Sequence, residues 1–202
     1  HMELEREMIL AQEMFEEAVG LINKYNEAKR RRIVYMELVV DHLRREIVSY
    51  LWKISCQGLS EVPSKRLFAY TAMVDDIERI ADHAQNIADM AKNKSERNIL
   101  FTESGEQELA DIHIKVSQNI TDALQLIGKY DMSRARTIQA REDAVDEAVK
   151  NAREQHLIRF HRRICQAEAG PVFVEILIQL ERISDHCDNI AEYVLDLGNA
   201  PP

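Results

Sequence analysis

The chain is poor in residues that break helices. Among 202 residues it has 6 glycines and 4 prolines, two of those prolines at the last two positions. Long helices are therefore the natural expectation. Cysteine is scarce as well: Cys56, Cys165 and Cys187 are odd in number, far apart and set in apolar stretches. No Cys-x-x-Cys occurs, which argues against a thiolate zinc site and for a reducing, cytosolic compartment. No Glu is followed by His three residues on, so the ligand pair of a ferritin-like di-metal carboxylate enzyme is missing. No apolar run approaches the roughly 18–20 residues of a membrane-spanning helix. No secretory leader is visible, and His1-Met2 reads as a cloning remnant, so the chain is expected to be a piece that a membrane portion could precede. Basic charge is outnumbered, with 26 Lys and Arg against 35 Asp and Glu and a formal net charge of −9. That disfavours nonspecific nucleic-acid binding, which needs a basic surface to displace counterions. It suits a cationic partner, either a metal ion or a basic protein surface.

What is present is amphipathic and repeated. In the stretch from Asp75 to Ala91, Ile77, Ile80, Ala84, Ile87 and Ala91 form one apolar stripe at helical spacing. Glu78, Asp82, Asn86 and Asp89 form a polar stripe beside it. The pattern returns as Glu181-Arg182-Ile183-Ser184-Asp185-His186-Cys187-Asp188-Asn189-Ile190, offset by 103 residues. Earlier in each half, Ala18 to Asn26 matches Ala123 to Asp131, and Glu37/Asp41 match Glu142/Asp146, at an offset of 105. An ordered drift of this kind marks a duplication, with a connection near Ala167–Pro171 expected to be two residues shorter than its counterpart. The expected fold is all-α, a tandem of two three-helix bundles. Residues 3–93 form the first repeat, 94–103 a linker, 104–198 the second repeat and 199–202 a tail. The first helix is expected over about 3–27, the second to about Cys56 and the third over about 64–93, after a turn at Gln57–Pro63.

Each half then holds two Glu-x-x-x-Asp pairs: Glu37/Asp41 with Glu78/Asp82, and Glu142/Asp146 with Glu181/Asp185. That spacing puts both carboxylates on one helix face about 6 Å apart at Cβ, where like charges repel. If the second and third helices of a half run antiparallel, four carboxylates can meet around a gap that suits a hard or borderline cation. Arg79 and Arg182 could offset part of this charge instead. His83 and His186 read as surface or hydrogen-bonding groups, and Met8, Met14, Met73 and Met90 as packing. The runs Lys29–Arg32 and Arg159–Arg163 read as solvated basic faces, which could also contact anionic lipid or a partner.

The residues Asp75-x-x-Glu78-Arg79-Ile80-x-Asp82-His83-x-x-Asn86-Ile87, their repeat from Glu181 to Ile190 and the two earlier Glu-x-x-x-Asp pairs resemble the PhoU family of phosphate-uptake regulators. The resemblance covers nearly the whole chain. It implies a non-enzymatic regulator of phosphate transport, with a phosphate transporter or a phosphate-sensing signalling protein as partner and self-association within reach. It also implies metal clusters on the Glu-x-x-x-Asp pairs, which makes Glu37, Asp41, Asp75, Glu78, Asp82, Glu142, Asp146, Glu181 and Asp185 the candidate ligands for a divalent or trivalent transition metal such as iron, zinc or nickel. PhoU-like domains also form cytoplasmic tails of sodium/phosphate cotransporters, so a place at the inner face of the plasma membrane is a second implication. Asp75 corresponds to Ile178, so the two sites are expected to differ, the first binding more tightly. Two rivals remain: a helical adaptor whose acidic stripes bind a basic partner without metal, and, more weakly, a di-metal enzyme.

Overall fold

The computed structural model describes residues 2–56 and 61–198. The described residues form six helices and no strand: α1 Met2–Asn23, α2 Glu27–Ser55, α3 Glu61–Glu96, α4 Glu103–Leu126, α5 Met132–His161 and α6 Ala169–Gly198. Their starts follow from capping chemistry. The side chains of Asn26, Thr102 and Asp131 accept from the backbone N–H groups of Lys29, Gly105 and Arg134, each closing one orphan donor of a first turn. Because Asn26 caps α2, α1 ends at Asn23 rather than near residue 27. At the other end of the first repeat, α3 runs on to Glu96 and closes with Asn98 in the left-handed region (φ 52°), the Ile99 N–H bonding back to the Lys94 carbonyl. Of the expected turn at Gln57–Pro63, residues 57–60 lie outside the described residues, and Pro63 falls in the first turn of α3, where a missing N–H costs nothing.

Helices α1, α2 and α3 pack on one another, as do α4, α5 and α6. The two bundles meet along α3 and α6, with a smaller contact between α1 and α4. Apolar stripes at three- and four-residue steps feed this interior: Met8, Ala11, Phe15 and Ala18 from α1, Val116, Ile120 and Ala123 from α4, and Ile77, Ile80, Ala84 and Ile87 from α3 are all fully enclosed. Met14 and Met73 are core as well, and Met90 packs against it.

The two-residue drift has a different origin from the one expected. α3 begins at Glu61, seventeen residues ahead of Glu78, whereas α6 begins at Ala169, only twelve ahead of Glu181. The connection from α5 to α6 is in fact the longer one, covering residues 162–168 against 56–60. It opens with Arg163 at φ 58°, where the Ile164 N–H returns to the Arg159 carbonyl. The missing length therefore lies in the N-terminal arm of α6.

Candidate metal centre

The acidic pairs sit mid-helix, where α2 faces α3 and α5 faces α6, but the two halves treat them differently. In the second half, ligand oxygens of Glu142, Asp146 and Asp185 all lie within 4.8 Å of one another. Among the described residues no other set of three His, Cys, Asp or Glu side chains gathers as tightly. Glu142 and Asp146 share one face of α5, and α6 brings Asp185 against them. Glu181 is drawn off the cluster by Arg153, about two turns beyond Asp146 along α5. Arg182 reaches Asp185 at 3.7 Å from the solvent side, and its own side chain is 61% exposed.

The electrostatics record the crowding. Burial, then the charge of Asp146 and a hydrogen bond to it, with smaller contributions from Asp188 and Asp185, push Glu142 up to about 7. Asp185 is also raised, first by burial and then by Asp146, with Arg182 opposing. Near neutral pH the cluster therefore holds a proton that a cation would displace. An all-oxygen set of three carboxylates, short of positive charge, fits a hard or borderline ion.

In the first half Arg44 and Arg45 stand where the second half has no arginine, while Arg79 has its match in Arg182. Arg44 of α2 bonds Asp75 (2.7 Å), Arg45 bonds Asp41 (2.9 Å), and Arg79 lies 3.6 Å from Asp82 and 3.8 Å from Glu78. Glu37 is raised by burial and by Asp82 and Asp41, and Glu78 by burial and Asp82, so these groups do feel one another. Glu37, Asp41, Glu78 and Asp82 nonetheless do not form a tight triad, and Asp75, the candidate extra ligand, is tied to Arg44. At the repeat offset of 105, Arg44 and Arg45 correspond to Val149 and Lys150, and Arg153 to Val48.

Sequence reasoning passed over three participants. Asp188 is raised by burial, Glu192 and Asp143, and its Oδ1 is sealed with no hydrogen-bond partner in the protein. Its spacing from Glu181 and Asp185, at seven and three residues, was a usable signal. Arg153 and Arg44 were not singled out because a lone arginine on a helix carries no pattern. Two readings of basic runs also change. Arg159 is buried and bidentate to Glu108 (2.6 and 2.7 Å) rather than solvated. Arg30 is tied to Asp89 at 2.7 Å.

The seam between the bundles has its own polar pattern. His83 Nδ1 lies 2.7 Å from Gln179 Oε1, and His186 Nδ1 lies 2.7 Å from Asp76 Oδ1. Asn86 and Asn189 donate to those same two oxygens. These partners run in opposite directions along α3 and α6, so the helices are antiparallel and related by a local two-fold that replaces Asp76 by Gln179. All three cysteines are free, and no described helix is long and apolar enough to cross a membrane.

Known proteins share this fold. A phosphate-specific transport system accessory protein PhoU homolog 1 of Thermotoga maritima is 26% identical over 189 residues, covering 93% of this chain and 81% of its own length. The PhoU homolog of Clostridium acetobutylicum is 23% identical over 201 residues, covering 98% and 90%. Among solved structures, PhoU from Pseudomonas aeruginosa superposes with a TM-score of 0.89 at 22% identity, covering 97% of this chain and 93% of the other. The PhoU regulatory protein from Streptococcus pneumoniae gives 0.88 at 16%, covering 98% and 92%. The family model described as "PhoU domain" matches residues 4–91 and again 109–194, the same two three-helix units that the fold displays, and on that doubled match the chain belongs to the PhoU family.

Proposed function

We propose that the chain is a non-catalytic regulatory module of phosphate uptake, acting on a transporter at the cytoplasmic face of the membrane, and that its second half carries a cation site that sets its state. The transport reading is supported by the relatives, which are named as accessory proteins of phosphate-specific transport systems. The cation reading rests on one observation: Glu142, Asp146 and Asp185 present oxygens within 4.8 Å of one another, with Arg182 the one cation paired to them among the described residues. Glu142 and Asp146 would hold the ion from α5 and Asp185 from α6. The ion supplies positive charge, and the chain's residues release the proton held at Glu142 when it binds. Joining α5 to α6 at mid-length stiffens the face that a partner would meet. Iron or manganese suits the all-oxygen set better than zinc or nickel, which favour imidazole or thiolate.

The test is phosphate uptake in bacterial cells with and without the chain, together with its Glu142→Gln/Asp146→Asn variant. Expression of the wild-type chain is expected to change the uptake rate, and the variant to lose most of that change. Unaltered uptake with the wild type overturns the transport reading. An identical response from the variant overturns the role of the cluster and leaves a metal-free adaptor.

A further inference from the structure

The histidine pair on the seam is used by neither the carboxylate cluster nor the packing of either bundle alone. The imidazoles of His83 and His186 stack with centroids 5.4 Å apart and planes 23° from parallel. Each is anchored through Nδ1 by an acceptor on the opposite bundle. Gln179 presents Oε1 to His83, its amide nitrogen being committed to Glu175 (2.6 Å), and Asp76 presents a carboxylate oxygen to His186. Both acceptors are acceptors only at those atoms, so each ring carries its proton on Nδ1 and turns a lone pair outward on Nε2. Neither Nε2 has a hydrogen-bond partner among the described residues, and neither is a sealed orphan. A ring nitrogen fixed by a second-shell acceptor, with its other nitrogen bare, is how imidazoles are prepared to bind metal.

We propose that His83 and His186 form a two-nitrogen site for a borderline divalent cation of the copper, nickel or zinc kind, clamping the first bundle to the second through Nε2 of each ring. Two nitrogens on one such ion sit at most about 4.2 Å apart, twice a bond of about 2.1 Å, so the rings, stacked with centroids 5.4 Å apart and with lone pairs in their own planes, must turn out of the stack about their Nδ1 anchors to share it. Charge at the seam does not oppose this. Asp76, Asp82 and Asp185 outnumber Arg79 and Arg182, and each arginine is paired with the aspartate three residues on. Water completes the coordination. The site differs from the carboxylate cluster in donor type, in location and in the ion it selects, because nitrogen donors favour copper, nickel and zinc over manganese.

The experiment uses the Glu142→Gln/Asp146→Asn background, which disables the carboxylate cluster without touching α3 or α6. Cu2+ is titrated and the bound ion read by electron paramagnetic resonance, whose hyperfine pattern counts nitrogen ligands. The expected result is one ion per chain with two imidazole nitrogens. His83→Gln and His186→Gln should each weaken binding at least tenfold and leave a one-nitrogen signal. A two-nitrogen signal unchanged in both variants, or no imidazole signal at all, overturns the proposal. Glutamine can still donate to Asp76 or Gln179, so metal-free melting curves should stay near that of the background. If either variant fails to fold, 15N spectra of the background protein during Zn2+ titration decide the matter. The Nε2 resonances of both rings should move together while both Nδ1 stay protonated, and resonances that stay still overturn the site.

Discussion

The two halves of this molecule share helices, spacing and register, yet only one gathers its carboxylates. In the second half Glu142, Asp146 and Asp185 crowd together, and burial with the charge of Asp146 raises the pKa values of Glu142 and Asp185. In the first, Asp41 faces Arg45 and Asp75 is held by Arg44, whereas the Arg79–Asp82 pair is matched in the second half by Arg182–Asp185. The decisive positions lie one turn away from the motif, where Arg44 and Arg45 stand against Val149 and Lys150. A motif sets which groups can meet; the neighbouring charges set whether they do. The cores differ in the same sense. Glu7 is fully enclosed in the first bundle, with neither carboxylate oxygen hydrogen-bonded within the protein, at the position where the second bundle has Ile112.

The largest effect should come from the second-half cluster. A cation at a hundredfold excess over Kd stabilises the native state by about 2.7 kcal/mol, a rise of about 5–10 °C in Tm for a chain of this size. Glu142→Gln/Asp146→Asn is expected to abolish that rise, and Glu37→Gln/Asp41→Asn to leave most of it, in thermal melts with and without Mn2+. Equal losses would erase the distinction between the halves.

Next in size is Glu7→Ile, which gives the first core the residue of the second. Removing an enclosed, unpartnered carboxyl should stabilise by about 1–3 kcal/mol. Burial, with help from Glu78 and Asp75 and against Arg44, pushes Glu7 up to about 8 from the ordinary 4.5. The unfolded chain therefore loses this proton first, and the penalty grows as pH rises from about 4.5 to 8. The gain measured by chemical denaturation should accordingly be larger at pH 8 than at pH 5. A gain that shrinks with pH contradicts the assignment.

A smaller pH effect belongs to Glu142, raised to about 7 by burial and Asp146. Metal-free stability should decline between pH 4.5 and 7 and then level off, and Glu142→Gln should flatten that slope. Cation affinity should run the other way, falling by up to about tenfold per pH unit well below 7 as protons compete. Calorimetric titrations at pH 5.5, 6.5 and 7.5 check this. The smallest change expected is from Arg44→Val/Arg45→Lys, which should give the first half a measurable second, weaker Mn2+ equivalent.

Much of this was legible in the residues. The helical periods, the duplication and the four acidic pairs could be read directly, because the three-to-four-residue spacing that places groups on one face is local. What could not be read was the fate of each carboxylate, since Arg153 and Arg44 meet Glu181 and Asp75 across helices, and nothing in the spacing says which side chain bends toward which. The same holds for Glu7, which sits among charged residues in sequence yet faces the core. His83 and His186 were legible as hydrogen-bonding groups, but their stacking needs the antiparallel pairing of α3 with α6.

The central claim is that the duplicated motif yields one strong oxygen-donor cation site, in the second half. Its most direct test is equilibrium titration of Mn2+, an oxygen-seeking ion, into the wild-type chain, the Glu142→Gln/Asp146→Asn variant and the Glu37→Gln/Asp41→Asn variant at pH 7.5, with free Mn2+ followed by electron paramagnetic resonance. The account predicts one tight equivalent in the wild type, the same equivalent in the first-half variant and none in the second-half variant. Loss of that equivalent on changing Glu37 and Asp41 instead, or two indistinguishable sites in the wild type, would contradict it.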